Sequence, residues 1–334
     1  MPNDGTVDQL AYVELYSGWA TAQKGGYCYG RVHKGNPLPL PKEGEGLAEK
    51  LHQTFLDLDL HALSQAQVRL SGFPGSGPFT ADSHGFLKVP LPADMQAISF
   101  AVDVQLDTPN YAGASTSTTV QVWGVTDPQI GVISDIDDTL TDTDVTHKLD
   151  MLKNTFFHDT YDVKIFLDAP QAFVDVAGKS ASLLPTLPVF YLSGSPWALH
   201  ERISEAFDRV GLPHGPMILR RYSQEPFDPY DFKHPHLLEI VDANPGRRWI
   251  LFGDTGEKDP EVYHTLMQER PGVVDAVFIH NVTDANRNEA RFSGFTVFDD
   301  WKEVVGAIHK LKLGLCGRVD RATSDSETPA ETRL

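Results

Sequence analysis

Short apolar runs recur over the first part of the chain, separated by clusters of Gly, Pro, Asn, Asp and Ser. This pattern is typical of short β-strands joined by turns, and strands at this spacing predict a β-sandwich over residues 1–126. Residues 48–58 instead carry apolar side chains at near-helical spacing, which predicts a short helix. The predicted strands are Leu10–Tyr16, Tyr27–Val32, Gln67–Leu70, Phe86–Val89, Ile98–Leu106 and Thr118–Trp123.

Beyond residue 126, apolar strand-like runs alternate with stretches of helical spacing. This alternation predicts a mainly parallel, doubly wound α/β sheet, that is, a Rossmann-like three-layer domain over residues 127–316. The tail 317–334 is polar and is predicted to be disordered because it cannot bury enough apolar surface. The predicted strands are 130–134, Leu187–Leu192, Met217–Leu219, Trp249–Phe252 and Val273–Ile279.

Helices are predicted between these strands from apolar spacing and capping signals. Pro196 is expected to open one helix, with Val210 among its inward side chains, and Pro235 to lie in the first turn of another. Asp300 and Glu303 form a capping box in front of the last helix. The predicted helices are 144–156, a stretch within Gln171–Leu184, 196–210, Lys233–Asp242, one beginning at Pro260, and Trp301–Leu311.

Length, charge and cysteine content narrow the class of protein. With 334 residues the chain exceeds a typical single core, so two domains are expected. The net charge of −18 argues against nucleic-acid binding and against electrostatic docking on anionic lipid. No secretory signal is recognised, and Cys28 and Cys316 lie far apart, so we expect a cytoplasmic protein. A structural role of the β-sandwich is favoured over binding of an unknown partner.

Three aspartates, Asp135, Asp137 and Asp138, follow directly on the apolar run 130–134. Alternation along a strand places Asp135 and Asp137 on the same side, at the carboxyl end where open α/β sheets bind ligands. Two carboxylates this close repel each other unless a cation lies between them, and Mg²⁺ is the cation that hard oxygen ligands favour. The segment therefore predicts a magnesium site.

Further polar groups follow the later strands or stand at a helix start. Carboxyl ends of parallel strands meet at one edge of a sheet, so these groups are expected to lie together. They suit phosphoryl transfer, in which one carboxylate attacks phosphorus, a second moves the proton, a hydroxyl and a lysine hold phosphate oxygens, and Mg²⁺ neutralises charge. The set consists of Asp135, Asp137, Thr139, Ser193, Lys233, Asp254 and Asp259.

The ordered motifs DIDDT, LSGS, a lysine at a helix start and GDTGEKD resemble those of the haloacid dehalogenase (HAD) superfamily of aspartate-nucleophile phosphohydrolases. More narrowly, ISDIDDT, YLSGSPW and LFGDTGEKDPEVY are similar to the conserved-domain family of Mg²⁺-dependent phosphatidate phosphatases first associated with actin patches. The resemblance covers about 129–308, and the β-rich first half is also arranged as in that family. It implies a HAD-like fold, a Mg²⁺ cofactor and conversion of phosphatidate to diacylglycerol and phosphate.

The resemblance also implies roles for the acidic residues. Asp135 matches the nucleophile and a metal ligand, and Asp137 matches the general acid and base that also binds metal through its main-chain carbonyl. Thr139 closes the first motif and orients the loop. Asp254 matches a metal ligand, and Asp259 a supporting metal ligand or a carboxylate behind the ligands.

The phosphate-binding residues are implied in the same way. Ser193 with Gly194 matches the phosphate-binding hydroxyl and its loop, and Lys233 matches the cation that binds phosphate during catalysis. The chain departs from the expected pattern after the strand 273–279, where His280 and Asn281 stand in place of a basic residue.

Several of these residues also have a structural interpretation. Asp259 precedes a proline and is as well placed to cap a helix as to support a metal, and Ser195 is favoured as a cap over a catalytic group. Asp138 is favoured as a turn residue. His234 and His236 do not share a helix face, so surface histidines are expected rather than metal ligands.

Substrate identity depends on the space around the site. The intervals between the motifs are filled by the predicted helices and strands, which leaves an open site for a bulky phosphomonoester, phosphatidate first of all. A soluble or protein phosphomonoester is the alternative, and a binding protein that retains the fold without turnover is a second. Arg220 and Arg221 follow a strand near the site and are candidate contacts for the substrate's phosphate or head group, with peripheral contact to a membrane.

Overall fold

The fold was analysed in a computed structural model, which describes residues 9–21, 24–35, 62–73, 77–93, 98–108, 111–113, 116–125, 130–141, 165–166, 168–177, 188–221 and 224–308. Three predictions lie outside these residues: the helix at 48–58, the helix at 144–156 and the disordered tail 317–334. The proposed domain boundary near residue 126 also falls between described residues and stays a prediction.

The first eight strands form one connected sheet with the order β4-β3-β6-β8-β1-β2-β5, and β7 pairs with β1. All pairs are antiparallel except β1 with β7 and β1 with β8. All six predicted strands are present, whereas β4 and β7 were missed because they are only two and three residues long. The two packed sheets of a β-sandwich remain a prediction. The strands are β1 Gln9–Thr21, β2 Gly25–Lys34, β3 Gln67–Ser71, β4 Phe79–Thr80, β5 Phe86–Leu91, β6 Ile98–Leu106, β7 Tyr111–Gly113 and β8 Thr116–Val125.

The remaining six strands form a second sheet in which every described pair is parallel. Its order is β11-β10-β9-β12-β13-β14, which confirms the predicted parallel sheet. The chain moves outward from β9 to β11 and then returns to the other side of β9 at β12. Open sheets of this order bind ligands beyond the carboxyl ends of the two strands where the direction reverses. The strands are β9 Ile130–Ser134, β10 Val189–Pro196, β11 Met217–Arg220, β12 Arg248–Asp254, β13 Val274–His280 and β14 Thr296–Phe298.

Helices cover both faces of the parallel sheet. Val132 of β9 shares its core with α1, α2 and α5, whereas the next residue, Ile133, shares a core with α3 and α4. Successive strand residues point to opposite faces, so the apolar run of β9 serves both cores. Helices therefore pack against both faces of the parallel sheet, whereas the Rossmann-like, HAD-like arrangement stays a prediction. The helices are α1 Ala169–Ala177, α2 His200–Val210, α3 Pro229–Ala243, α4 Asp259–Glu269 and α5 301–308.

Two predicted helix starts were wrong. A 3₁₀ turn, Trp197–Leu199, separates Pro196 from α2. At the other end of α2, Val210 is the last helical residue before the left-handed Gly211, and it is 41% exposed and not inward as predicted. α3 begins at Pro229, where Asp228 accepts a hydrogen bond from the Tyr230 amide at 2.9 Å. This cap lies upstream of the predicted start, so Pro235 lies inside the helix rather than in its first turn.

The cap of α5 is confirmed. The Asp300 amide donates to Glu303 Oε1 at 3.2 Å, and the Lys302 amide donates to Asp300 Oδ1 at 2.9 Å. In the part of the chain that is described, no helix has both the length and the apolar character needed to span a bilayer.

The two sheets pack together around Trp197, directly after β10. Its ring centroid lies 5.0 Å from that of Tyr16, 5.4 Å from that of Tyr29 and 5.2 Å from that of Phe86. All three contacts come from the first sheet, so the segment that follows β10 is anchored on the N-terminal half of the chain.

Candidate active site

The loop after β9 is held in place by hydrogen bonds of the Asp135 main chain and side chain. The Asp135 amide donates to the Phe252 carbonyl of β12 at 3.0 Å, so the first aspartate extends the pairing of the two central strands. The Thr139 hydroxyl donates to Asp135 Oδ2 at 3.2 Å, and both residues are buried. This contact holds the Asp135 carboxylate, and the orientation of the loop by Thr139 stays a prediction.

Lys233 lies in α3 and is buried at 2% exposure. Its Nζ is 2.9 Å from Asp135 Oδ1 and 2.6 Å from Asp259 Oδ1. A third carboxylate, Glu257, contributes Oε2 at 2.9 Å from Nζ. The Lys233 ammonium therefore lies among carboxylates of two segments, the loop after β9 and the stretch 257–259 after β12.

Three carboxylates have the arrangement of a metal site. Asp135, Asp254 and Asp259 each offer an oxygen, and these atoms all lie within 4.8 Å of one another. Asp254 Oδ1 accepts the Glu257 amide at 2.9 Å, whereas Asp254 Oδ2 is buried without a hydrogen-bond partner. Hard oxygen ligands and an unpartnered buried carboxylate oxygen fit a divalent cation such as Mg²⁺.

Burial dominates the electrostatics of this cluster. It raises the pKa of Asp135 and of Asp254 well above the usual carboxyl value; Lys233 opposes this at both, and the Asp259 charge adds to it. Burial lowers the pKa of Lys233, but Asp135 and the other carboxylates outweigh this and raise it well above the usual value. One ammonium thus faces several buried acids, and an additional cation would allow these acids to ionise.

Asp259 does not have the predicted role of a helix cap, and its role in supporting a metal stays a prediction. It is the first residue of α4, and its side chain makes no cap on that helix. Its Oδ2 instead accepts the Asp254 amide at 3.2 Å, while Oδ1 contacts Lys233. A Cβ on Gly253 would lie 2.6 Å from the Asp259 carboxylate, so this close approach requires glycine.

Asp137 contacts the loop at the end of β10 rather than the three clustered carboxylates. Its Oδ2 accepts the Ser193 hydroxyl at 2.6 Å and the Ser195 hydroxyl at 2.8 Å. Burial raises the pKa of Asp137, and the two hydroxyls oppose this. Metal binding through the main-chain carbonyl of Asp137 stays a prediction.

Arg220, the last residue of β11, and Arg221, which follows it, contact different parts of the molecule. The guanidinium of Arg220 lies against the loop of β10, since a Cβ on Gly194 would be 2.3 Å from Arg220 Nη2. Arg221 instead faces the first sheet, 3.4 Å from Asp82 Oδ2, and lines a cleft of about 490 Å³ between the sheets. Of these two arginines, only Arg220 therefore lies against the segment of Ser193 and Gly194 that is predicted to bind phosphate.

His280 occupies the position where a basic residue was expected. It is buried and stacks on Phe298, with ring centroids 5.0 Å apart. Its Nδ1 lies 2.9 Å from the main-chain oxygen of Asp138, whose φ of 54° places it in the left-handed region. Burial lowers the pKa of His280. The histidine supports the turn that follows Asp137, and Asp138 has the predicted role of a turn residue.

The two histidines of α3 stay outside the cluster. His234 Nε2 lies 3.1 Å from Glu269, and His236 Nε2 lies 3.2 Å from Glu225. Sequence reasoning missed two residues that do belong to the site, Glu257 and Ser195. Glu257 stands within the GDTGEKD motif, and only the spacing to a helix start favoured Ser195 as a cap.

The site thus consists of buried carboxylates and a lysine that lie together at the switch point of a doubly wound α/β sheet. Residues 130–281 match the family model described as phosphatidate phosphatase APP1, catalytic domain. Over these residues the chain is similar to that family, which confirms the resemblance inferred from the motifs.

Two curated relatives extend this match. The phosphatidate phosphatase APP1 of Saccharomyces cerevisiae is 29% identical over 240 residues, covering 70% of this chain and 39% of the yeast protein. An uncharacterised protein of Schizosaccharomyces pombe is 26% identical over 158 residues, covering 46% of this chain and 25% of that protein. The chain thus spans well under half the length of either relative.

Solved structures resemble the chain only distantly. A chain of the Pnkp1/Rnl/Hen1 complex has a TM-score of 0.30 at 15% identity and covers 47% of both chains. A carbohydrate acetylesterase from Xanthomonas citri has a TM-score of 0.30 at 13% identity, covering 78% of this chain and 57% of the esterase.

Proposed function

We propose that the protein is a Mg²⁺-dependent phosphomonoester hydrolase that works through an aspartyl-phosphate, with phosphatidate as its substrate. The observation that carries this proposal is the buried cluster in which Lys233 contacts Asp135 and Asp259 beside the unpartnered Asp254 oxygen. A binding protein without turnover has no need for such a cluster, since uncompensated buried charge is destabilising. The HAD-like assignment of the fold belongs to the same proposal.

Asp135, Asp254 and Asp259 would hold the metal ion. When bound, Mg²⁺ supplies positive charge between the carboxylates and the phosphate oxygens. Asp254 is held for this role because its Oδ1 already accepts the Glu257 amide at 2.9 Å, which leaves Oδ2 for the cation.

The residues of the chain divide the reaction into two displacements. In the first, a carboxylate oxygen of Asp135 forms a bond to phosphorus while the bond to the alcohol oxygen breaks, and Asp137 donates its proton to that oxygen. In the second, Asp137 takes a proton from water while the water oxygen bonds to phosphorus, and the bond between phosphorus and the Asp135 oxygen breaks, which restores the carboxylate and releases inorganic phosphate. The raised pKa of Asp137 suits a group that begins protonated.

Ser193, Gly194 and Lys233 would bind the phosphate oxygens. Ser193 is a buried residue in the second half of β10, and its acidic neighbours raise the pKa of Lys233. Arg220 adds a buried positive charge beside Gly194; its Nη1 donates to the Phe227 carbonyl at 2.9 Å, and its Nε is buried without a hydrogen-bond partner. Arg220, rather than Arg221, is therefore the arginine that would contact the substrate's phosphate.

Phosphatidate is preferred because the matched family and the yeast relative carry that name. Such a substrate is presented by a lipid surface, so peripheral contact with a membrane is part of the proposal. The proposal also includes a cytoplasmic location, from the cysteine content, and no binding of nucleic acid, from the net charge of −18.

Phosphate release from purified protein tests the proposal. The assay compares phosphatidate in mixed micelles with p-nitrophenyl phosphate, each with Mg²⁺ or EDTA. Asp135→Asn is the test variant, and Asp103→Asn, an exposed position on β6, is the matched control. Metal-dependent release from phosphatidate that is lost only in Asp135→Asn is expected.

Each other outcome rejects part of the proposal. Release from the soluble ester alone keeps the chemistry and rejects the lipid substrate. Release that survives EDTA or the Asp135→Asn substitution rejects the mechanism, and the absence of release from both esters favours the binding protein.

A further inference from the structure

The end of β10 leaves the ladder that it forms with β11. Leu192 pairs with Ile218 and Pro196 with Arg220, so the segment 193–195 faces a single residue, Leu219. Extra residues on one strand form a bulge, which redirects side chains and is frequent beside active sites. Here the bulge turns two hydroxyls, of Ser193 and Ser195, toward the same carboxylate.

Both hydroxyls end on one oxygen atom. Asp137 Oδ2 accepts Ser193 Oγ at 2.6 Å and Ser195 Oγ at 2.8 Å, and the Ser195 amide donates to Ser193 Oγ at 2.9 Å. Ser195 is 2% exposed, and the helical turn that follows shows no side-chain cap. The expectation that Ser195 is a helix cap was therefore wrong, because the bulge points its hydroxyl to Asp137.

A hydroxyl carries a single proton, and this limits what Ser193 can do. When Ser193 donates to a phosphate oxygen of the substrate, it releases Asp137 Oδ2. The Ser195 hydroxyl is the second donor to that oxygen and has no other acceptor among the described residues. Asp137 would then still be held by one hydrogen bond, with Oδ1 directed to the leaving group.

We infer that Ser195 is a positioning residue for Asp137, which it holds in place while Ser193 binds the substrate's phosphate. This inference rests on the proposed function, because it needs Asp137 as the proton donor. A misplaced proton donor slows the loss of a poor leaving group far more than that of a good one. A general defect of folding or phosphate binding would slow both alike.

The test measures kcat/KM, which reports the step that expels the alcohol, for phosphatidate, phenyl phosphate and p-nitrophenyl phosphate. For Ser195→Ala we expect a fall of about 10-fold or more with the first two esters and within about 3-fold with p-nitrophenyl phosphate. Ser195→Thr, which keeps the hydroxyl, should restore most of the loss. Ser193→Ala is the contrasting variant and should lower kcat/KM for all three esters alike.

The ratio between esters decides the outcome even if a variant is poorly folded, because a smaller active fraction scales every kcat/KM equally. An equal fall for all three esters in Ser195→Ala, or no fall, overturns the inference while the proposed function stands. If the wild-type protein hydrolyses none of the esters with Mg²⁺, the proposed function fails and the inference fails with it.

Discussion

The two sheets of this chain bury very different groups. The main core of the first sheet is formed by apolar side chains such as Val32, Val68 and Leu87. The parallel sheet has comparable apolar cores on both faces, but its carboxyl edge also buries Asp135 and Asp254 with Lys233. The first region is arranged for stability, whereas the second gathers more buried acidic groups than the single ammonium of Lys233 can balance.

The largest effect that separates the two regions is expected at Asp254. Asp254→Asn removes a buried acidic group and a proposed metal ligand together, so turnover should fall by about 100-fold or more. The same change relieves repulsion from Asp259, so the metal-free variant should melt at a higher temperature than the metal-free wild type. Assays of kcat and thermal melts in EDTA and in Mg²⁺ measure both.

The control for this prediction is the change in melting temperature when Mg²⁺ is added. Mg²⁺ should raise the melting temperature of the wild type and leave that of Asp254→Asn nearly unchanged. A variant that melts lower than the wild type in EDTA would contradict the account of stored repulsion.

A core substitution in the first sheet should have the opposite character. Leu87 of β5 is 1% exposed, and Leu87→Ala should lower the free energy of unfolding by about 2 to 5 kcal/mol. The kcat of the folded fraction should be unchanged, because no site residue contacts this position. Denaturant unfolding and kcat at low temperature test this, and a kcat loss beyond the loss of folded protein would show that the first sheet supports the chemistry.

A smaller effect is expected at the contact between the sheets. The His200 ring contacts that of Tyr16 in a tilted arrangement, with ring centroids 4.2 Å apart, and burial lowers the pKa of His200 from 6.5 to about 4. Because the unfolded state binds the proton more readily, stability should fall as the pH drops from 6.5 towards 4. His200→Gln should remove about 1 to 3 kcal/mol of this loss.

Unfolding by denaturant at several pH values measures this contribution. His234→Gln is the matched control, since that imidazole lies at the helix surface beside Glu269. Equal pH profiles for the wild type and His200→Gln would show that the stacked histidine is not responsible for acid sensitivity.

Much of the parallel sheet was predictable because its strands are continuous apolar runs. Val132 and Ile133 serve opposite cores, and such two-sided burial leaves a strong signal in the sequence. The meeting of Asp135 and Asp254 also followed from the rule that parallel strands end at one edge, whereas Lys233 reaches them from within α3.

Other features depend on geometry that no local pattern contains. The bulge that turns Ser195 to Asp137 is a matter of register between β10 and β11. Glu257 reaches Lys233 only because the loop after β12 folds back toward α3. Very short strands such as Thr296–Phe298 form through pairing with a neighbour and have too few residues to show a period.

The most direct test of the central claim is to trap the phosphorylated enzyme. Wild-type protein is mixed with phosphatidate carrying a radiolabelled phosphate in Mg²⁺, quenched in acid within one turnover, and digested. The account predicts label on the peptide that contains Asp135, released by hydroxylamine and absent in Asp135→Asn. Turnover of phosphatidate in which no label ever appears on Asp135 would contradict the account.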